Sequence, residues 1–281
     1  MSLAGQWNAA GDSNDAQGFR AGGCGLRRLT VGFCLRSGSG LGECLLISAG
    51  DHDGVENVVH LMLARIDGAP AGVKGISLFV VPKLRLDESR KLVSNDIKVS
   101  QIYHKLGYRG APITELVIGE NDNCRGFLVG EPHKGLKYMF QMMNEERQGV
   151  GMMGVSLAGA AYLHALDYAK QRIQGTNIIA MAMKDPNAKA VPIIQHPDVR
   201  RMLLKQKSIT EGIRALTLLC YYCMDREFNA GLEKNEQDKE YWHGMIEMLT
   251  PMVKSYCTER GMEVCSDAVQ TYGGYGYMKE Y

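Results

Sequence analysis

Asp267-Ala-Val-Gln-Thr-Tyr-Gly-Gly-Tyr-Gly-Tyr-Met-Lys-Glu-Tyr281 is the stretch whose reading decides the fold. It is dense in glycine and tyrosine and follows directly on a long stretch of helical periodicity. Gln270 offers a side-chain amide. Gly273, Gly274 and Gly276 offer backbone that a flat or phosphorylated ligand can approach closely, because glycine has no Cβ to hold it off. The same residues also describe a helix end with a glycine cap. What precedes them has to separate the two readings.

Moving upstream, the helical period begins at Lys134. Apolar residues recur at three- and four-residue spacing, as in Leu203, Ile209, Ile213, Leu216 and Leu219. Helices are predicted over Gly135 to Gln171, His196 to about Asn229 and Glu240 to Gln270, long enough for an up-and-down bundle. The segment from Thr176 to Pro192 reads as a connecting loop. Pro251 is expected to kink the last helix or to lie near its first turn. The first helix carries Gly149, Gly151, Gly154 and Gly159, each costing about 1 kcal/mol relative to alanine in a helix interior. Close contact with another helix and close approach of a ligand both account for them.

Between Cys44 and about Pro132 the pattern is one of short β-rich runs: Leu45 to Ser48, Val58 to Ile66, Ile76 to Val81, Ile97 to His104 and Glu115 to Ile118. The turn signals between them, such as Gly68-Ala-Pro70, indicate antiparallel strands. No strand–GxGxxG–helix unit occurs, which argues against a Rossmann fold. Residues 1–43, rich in glycine, arginine and serine, read as irregular or disordered. The expected fold is therefore α+β: an irregular segment 1–43, a small antiparallel β-barrel or sandwich over 44–133, and a helical bundle over 134–281.

Composition narrows the function. With 281 residues, 45% hydrophobic and 22% charged, the chain is long enough for two cores, and a net charge of +1 provides no field for nucleic acid or an anionic membrane. No apolar stretch is read as approaching a membrane span, and the first residues lack a signal-peptide pattern, so a cytoplasmic location is expected. The eight cysteines are sparse for a disulfide scaffold. Cys220 and Cys223 have metal or redox spacing, but they lie in an apolar helical run without a second pair and read as buried thiols. No metal site is expected. His164, His196 and His243 read as surface or packing residues.

In order along the chain, Leu46-Ile-Ser-Ala-Gly-Asp-His-Asp53, Ala69-Pro-Ala-Gly-Val-Lys-Gly-Ile-Ser77, His104-Lys-Leu-Gly-Tyr-Arg-Gly-Ala-Pro112, Glu145-Glu-Arg147, Ala169-Lys-Gln-Arg172 and the glycine-tyrosine run resemble segments of the acyl-CoA dehydrogenase family of flavoproteins. The AGDHD string is most similar to the branch that includes 3-(methylthio)propanoyl-CoA dehydrogenase. The resemblance implies FAD-dependent α,β-dehydrogenation of an acyl-CoA thioester, with electrons passing to an electron-transfer flavoprotein, in a homodimer or homotetramer of fatty acid metabolism.

It also implies roles. Glu146, one residue before the family arginine, stands where a minority of members carry the catalytic base. Arg147 matches the arginine that supports the substrate cavity, and Asn144 a pantetheine contact. Arg172 matches the arginine that reaches the FAD pyrophosphate, typically across a dimer interface. Gln270, Gly273 and Gly274 match the segment that meets the ADP portion. Ile47, Ser48 and Ala49 match the strand beside the isoalloxazine ring. The sequence departs from the pattern in lacking a phenylalanine-glycine pair after Arg172 and in having His196-Pro-Asp-Val199 for a glutamine-containing helix start. It is also expected to be truncated at both ends, without the flavin loop before Cys44 or the base-bearing loop one helix beyond the glycine motif. A bundle lacking that helix is expected to present a wide apolar groove, to be covered by a partner subunit or to leave the chain poorly soluble. A catalytically inactive fragment or decayed paralogue retaining the dimerising bundle is the alternative reading, and a helical interaction module unrelated to flavins a more distant one.

Overall fold

The computed structural model describes residues 19–20, 44–49, 51–66 and 68–281. These fall into two compact units, the first ending at Gln141 and the second being Met142–Tyr281. The expectation of an irregular 1–43 segment lies outside the described residues except for β1 (Phe19–Arg20), a two-residue strand paired antiparallel with Gly126 and Arg125.

The remaining strands of the first unit are β2 (Cys44–Ala49), β3 (Val59–Arg65), β4 (Ile76–Pro82), β5 (Leu84–Leu86), β6 (Leu92–Ser94), β7 (Ile97–Tyr103), β8 (Ile113–Ile118) and β9 (Arg125–Val129). One sheet has the order β1-β9-β4-β3 and another β2-β8-β7, every pairing antiparallel. Period-two alternation sends one side of each strand inward. Met62, Ala64, Phe79 and Val81 from the first sheet and Ile97, Leu116 and Ile118 from the second form one core. A sandwich results, and among the described residues no barrel closes. The five strand runs read from the sequence are present. The β5–β6 hairpin and β9 were not anticipated, being three to five residues long and lacking sustained alternation.

A polar knot ties the corner before β7. Asn95, fully buried, donates to the carbonyls of Pro82 and Arg125 at 2.7 and 2.8 Å and accepts from Arg125 N–H at 2.9 Å. Asp96 accepts from the backbone N–H groups of Asn121 and Asn123 and from the Asn121 amide. Burial alone would raise the Asp96 carboxyl. The Asn121 and Asn123 hydrogen bonds and the Lys98 charge outweigh it, holding the group below its ordinary value of 3.8.

The second unit is built on three long helices: α1 (Gly135–Gln171, entering from the first unit), α3 (Pro197–Leu232) and α4 (Glu236–Tyr272). Asn235 caps α4 by accepting from Asp238 N–H, and Glu236 and Asp238 suit the positive end of the helix dipole. Pro251 lies well inside α4, so of the two placements the interior one holds. Between α1 and α3 the expected loop is a structured hairpin, β10 (Ile173–Thr176) with β11 (Ala190–Pro192), enclosing the short α2 (Ile178–Ala182). Asn177 caps α2, a local signal that the surrounding Lys184-Asp-Pro-Asn187 turn chemistry obscured.

Glycine sets the spacing of α1 and α4. A Cβ on Gly154 would sit 2.8 Å from the Cys257 carbonyl oxygen, one on Gly261 2.8 Å from the Gly154 carbonyl oxygen, and one on Gly151 2.4 Å from Val253. Gly149 and Gly159 meet nothing closer than 3.4 Å. Helix contact therefore accounts for two of the four glycines. A buried hydrogen bond of 3.1 Å from Gln148 to Thr250 and the stacking of Tyr168 on Tyr272 continue the same register, so α1 and α4 run parallel. Gln206 of α3 donates to Thr271 and Ile213 packs with Cys257, so α3 runs antiparallel to both, as in an up-and-down bundle. Cys220, Cys223 and Cys257 are buried thiols in this core.

Contrary to the reading that no stretch approaches a membrane span, α1 is long and apolar enough to cross a membrane by length and composition, although its Val155, Ala158, Ala165 and Ala169 are buried in the bundle. A largely apolar groove of about 580 Å³ lies along α3 and α4, lined by Leu216, Pro251, Met252 and Tyr256 together with Ser255 and Glu259.

Two substitutions test the helix contact. Gly154→Ala should lower the urea midpoint by an amount equivalent to about 1–3 kcal/mol, because backbone must move, whereas Gly149→Ala should raise it by up to about 1 kcal/mol. A third concerns pH. A carboxyl depressed on folding contributes stability that is complete above its unfolded pKa and is lost as pH falls through its folded one. Asp96→Asn should therefore flatten the acid limb of urea midpoint against pH below about pH 4.

Candidate functional site

The parallel register of α1 and α4 brings their C-terminal ends side by side. Tyr168, on the last turn of α1, stacks on Tyr272, the last residue of α4, with ring centroids 4.2 Å apart and planes 17° from parallel. Tyr275 meets Tyr168 edge-on at 6.5 Å. The Tyr272 hydroxyl donates to the His164 carbonyl at 3.3 Å. Four residues on from Tyr168, the Arg172 guanidinium lies 5.3 Å from the centre of the Tyr275 ring. Among the described residues no carboxylate is paired with Arg172.

Gly273 ends α4 with φ 60° and ψ −133°, a conformation close to glycine-only territory. The chain then turns into a short 3₁₀ segment, Gly273–Tyr277, whose Gly276 lies against the Val269 carbonyl. Gly274 has neither a positive φ nor an atom within 4 Å of where a Cβ would be. The chain itself gives no reason for glycine at 274.

These ends, the β10 strand and the start of α3 enclose a cavity of about 330 Å³ lined by Tyr168, Arg172, Gln174, Gly175, Ile193, His196, Val199, Thr271, Tyr272 and Gly273. His196 Nε2 lies 2.7 Å from the Gln174 carbonyl oxygen. A carbonyl only accepts, so Nε2 carries the proton in this contact. His196 also precedes Pro197 at the first position of α3, placing the positive end of a 36-residue helix at the cavity. A guanidinium with no carboxylate partner among the described residues, a helix N-terminus and glycine backbone together suit a diphosphate, and the tyrosines suit a flat ring. The residues present therefore fit the nucleotide portion of FAD.

The residues anticipated from sequence separate into three groups. Arg172 and Gly273 share the cavity, with Gly274 next to it and Gln270 exposed on the last turn of α4. Asn144, Glu146 and Arg147 lie near the other end of the same helix. Arg147 Nη1 donates to Asn144 Oδ1 at 3.1 Å, and both side chains are half-buried, whereas Glu146 is exposed. Adjacent helical residues point about 100° apart, which accounts for the different surroundings of Glu146 and Arg147. Ile47, Ser48 and Ala49 belong to β2 in the first unit, paired with Glu115, Thr114 and Ile113 of β8.

His196, read as a surface or packing residue rather than a metal ligand, is partly exposed and packs on the Gln174 carbonyl, and it also lines the cavity. Tyr168 and Tyr272 were not singled out. The signal for Tyr168 was its place four residues before Arg172, on the same helix face. His243 does lie at the surface, 2.8 Å from Glu227.

Known proteins match most of this chain. The family described as acyl-CoA dehydrogenase, C-terminal domain, matches residues 133–281. A butyryl-CoA dehydrogenase of Syntrophomonas wolfei is 41% identical over 246 residues, 85% of this chain and 39% of that protein. A 3-methylmercaptopropionyl-CoA dehydrogenase of Ruegeria pomeroyi is 45% identical over 240 residues, again 85% of this chain and 39% of that protein. The chain thus spans about two fifths of the length of these relatives. In fold it is similar to Caenorhabditis elegans ACDH-11, solved in complex with C11-CoA, with a TM-score of 0.62 at 24% identity over 79% of this chain and 34% of that one.

The two adjacent glycines should respond differently to substitution. Gly273→Ala forces a side chain into a positive-φ conformation and should cost about 1–2 kcal/mol, while Gly274→Ala should leave the urea midpoint unchanged.

Proposed function

The chain belongs to the acyl-CoA dehydrogenase family, and we propose that it takes part in FAD-dependent α,β-dehydrogenation of an acyl-CoA thioester. The observation that carries this reading is the cavity at the joined ends of α1 and α4, where the Arg172 guanidinium, without a carboxylate partner among the described residues, faces the start of α3 and the glycine backbone at 273. Arg172 would hold the pyrophosphate of FAD, and Gln270, Gly273 and Gly274 its ADP portion. Ile47, Ser48 and Ala49 would lie beside the isoalloxazine ring. When bound, FAD supplies a two-electron acceptor for the hydride leaving the substrate β-carbon.

The chain's own contribution to the chemistry is a base and a frame. Glu146 takes the α-proton of the thioester. Arg147, holding Asn144 at 3.1 Å, supports the wall of the acyl-CoA cavity. Glu146 is exposed in the single chain, so a bound acyl group is what would screen it from water during proton transfer.

A distance supports assembly. Glu146 lies on α1 and Arg172 directly follows its last residue, so the two are separated by about 40 Å at 1.5 Å per residue. The ribityl chain of FAD is several times shorter. A flavin whose pyrophosphate rests on Arg172 of one chain would therefore serve Glu146 of another, which supports a homodimer or a homotetramer built from such pairs. An electron-transfer flavoprotein is the electron acceptor we favour, because the family likeness carries it. The acyl chain is short or sulfur-containing in this reading, by likeness to the two relatives.

The test is spectroscopic. The purified chain should carry the visible absorbance of flavin and bleach when butyryl-CoA is added without oxygen. Glu146→Gln should retain flavin and lose at least about 100-fold in bleaching rate. Arg172→Gln should weaken FAD binding by about tenfold or more. Unchanged bleaching in Glu146→Gln would reject that residue as the base. Bound flavin that no acyl-CoA bleaches would assign the chain to the decayed-paralogue reading.

A further inference from the structure

The AGDHD string has no part in the chemistry above, yet it contains the most deeply buried acid among the described residues of the first unit. The Asp51 side chain is 1% exposed, and Oδ1 pairs with Lys83 Nζ at 2.6 Å. Its other oxygen and His60 Nε2 are buried without a hydrogen-bond partner among the described residues. Burial pushes the His60 imidazole below its ordinary pKa, with Asp51 pulling it up and Lys83 down, so no third full charge disturbs the pair near neutral pH.

The position of the pair in the topology gives it a consequence. Asp51 lies two residues beyond β2, an edge strand of the β2-β8-β7 sheet. Lys83 follows β4, the strand between β9 and β3 in the other sheet. The loop that Asp51 begins is closed at its far end by Lys83 N–H donating to Val58 and by Leu84 and Asn57 exchanging two hydrogen bonds of 2.8 Å. Lys83 and its neighbour therefore grip both ends of the connection between β2 and β3. An acid removed from water has a strong preference for keeping its cationic partner, which makes the tie stiff.

We propose that the Lys83–Asp51 ion pair is a positioning element that ties the end of β2 to the opposite sheet and so fixes where Ile47, Ser48 and Ala49 lie against a flavin ring. The role in flavin binding rests on the reading that this strand meets the isoalloxazine. The tie itself does not depend on that reading.

The test separates the two. Lys83→Met leaves a buried carboxylate without its counter-ion and can unfold the sandwich, so the informative variant is the charge-free pair Asp51→Asn with Lys83→Met, compared with Lys83→Arg in the full chain. Without FAD, the paired variant should exchange the Cys44–Ala49 amides about tenfold faster while β3 and β4 keep their protection. With FAD, it should bind the cofactor about tenfold more weakly and show altered fine structure in the flavin spectrum, and Lys83→Arg should preserve exchange, affinity and spectrum. Unchanged exchange over Cys44–Ala49 overturns the tie, whether or not flavin binds. Faster exchange with unaltered FAD affinity and spectrum overturns the positioning role. A wild-type chain that binds no FAD overturns the proposed function, and the exchange measurement then still decides the tie.

Discussion

The second unit depends on how closely two helix backbones can approach. Where Gly154 of α1 meets Gly261 and the Cys257 carbonyl of α4, no Cβ intervenes on either side. Contact at that distance fixes the helices along their axes as well as across them, because a shift of one residue would bring side chains to the crossing. With the axial position set, everything C-terminal to the crossing is determined. Tyr168 reaches Tyr272, Gln206 of α3 finds Thr271, and the two helix ends arrive together. The cavity is a consequence of this alignment, and none of its lining residues forms the crossing.

Much of this was legible in the sequence. The three-residue and four-residue spacing located all three long helices, and the ends of α1 match the residues read. Arg172 and Gly273, separated by a hundred residues in the chain, were assigned to one cofactor by resemblance, and they line one cavity. Periodicity could not divide the four glycines of α1 between packing and ligand, because that depends on what the facing helix presents. Gly151 and Gly154 face backbone, and Gly149 and Gly159 do not. The hairpin of β10 and β11 was missed because its strands are four and three residues long with a register shift between them. That His196 also lines the cavity was not legible in the sequence. Its place in the cavity depends on the Gln174 carbonyl, which only the hairpin brings near.

The first unit achieves order differently. Its sandwich has a modest shared core, and much of its definition comes from polar groups at strand ends: Asn95 and Asp96 at one corner, Asp51 and Lys83 at another. Such side chains act at turns and connections, where hydrophobic pattern carries no information. The sequence announced them only as turn-like residues, and their pairing across the fold could not be read from spacing.

One continuous helix of 37 residues carries the Asn144–Arg147 pair near its start and Arg172 just past its end, with the glycine crossing between them. This imposes a rule on length. Inserting a single residue between Gly154 and Arg172 would turn the arginine about 100° around the axis and carry it out of the cavity, although every side chain remained present. Divergence in this segment is therefore confined to exchange of one side chain for another, whereas the β10–β11 connection, starting after the arginine, is free to grow or shrink.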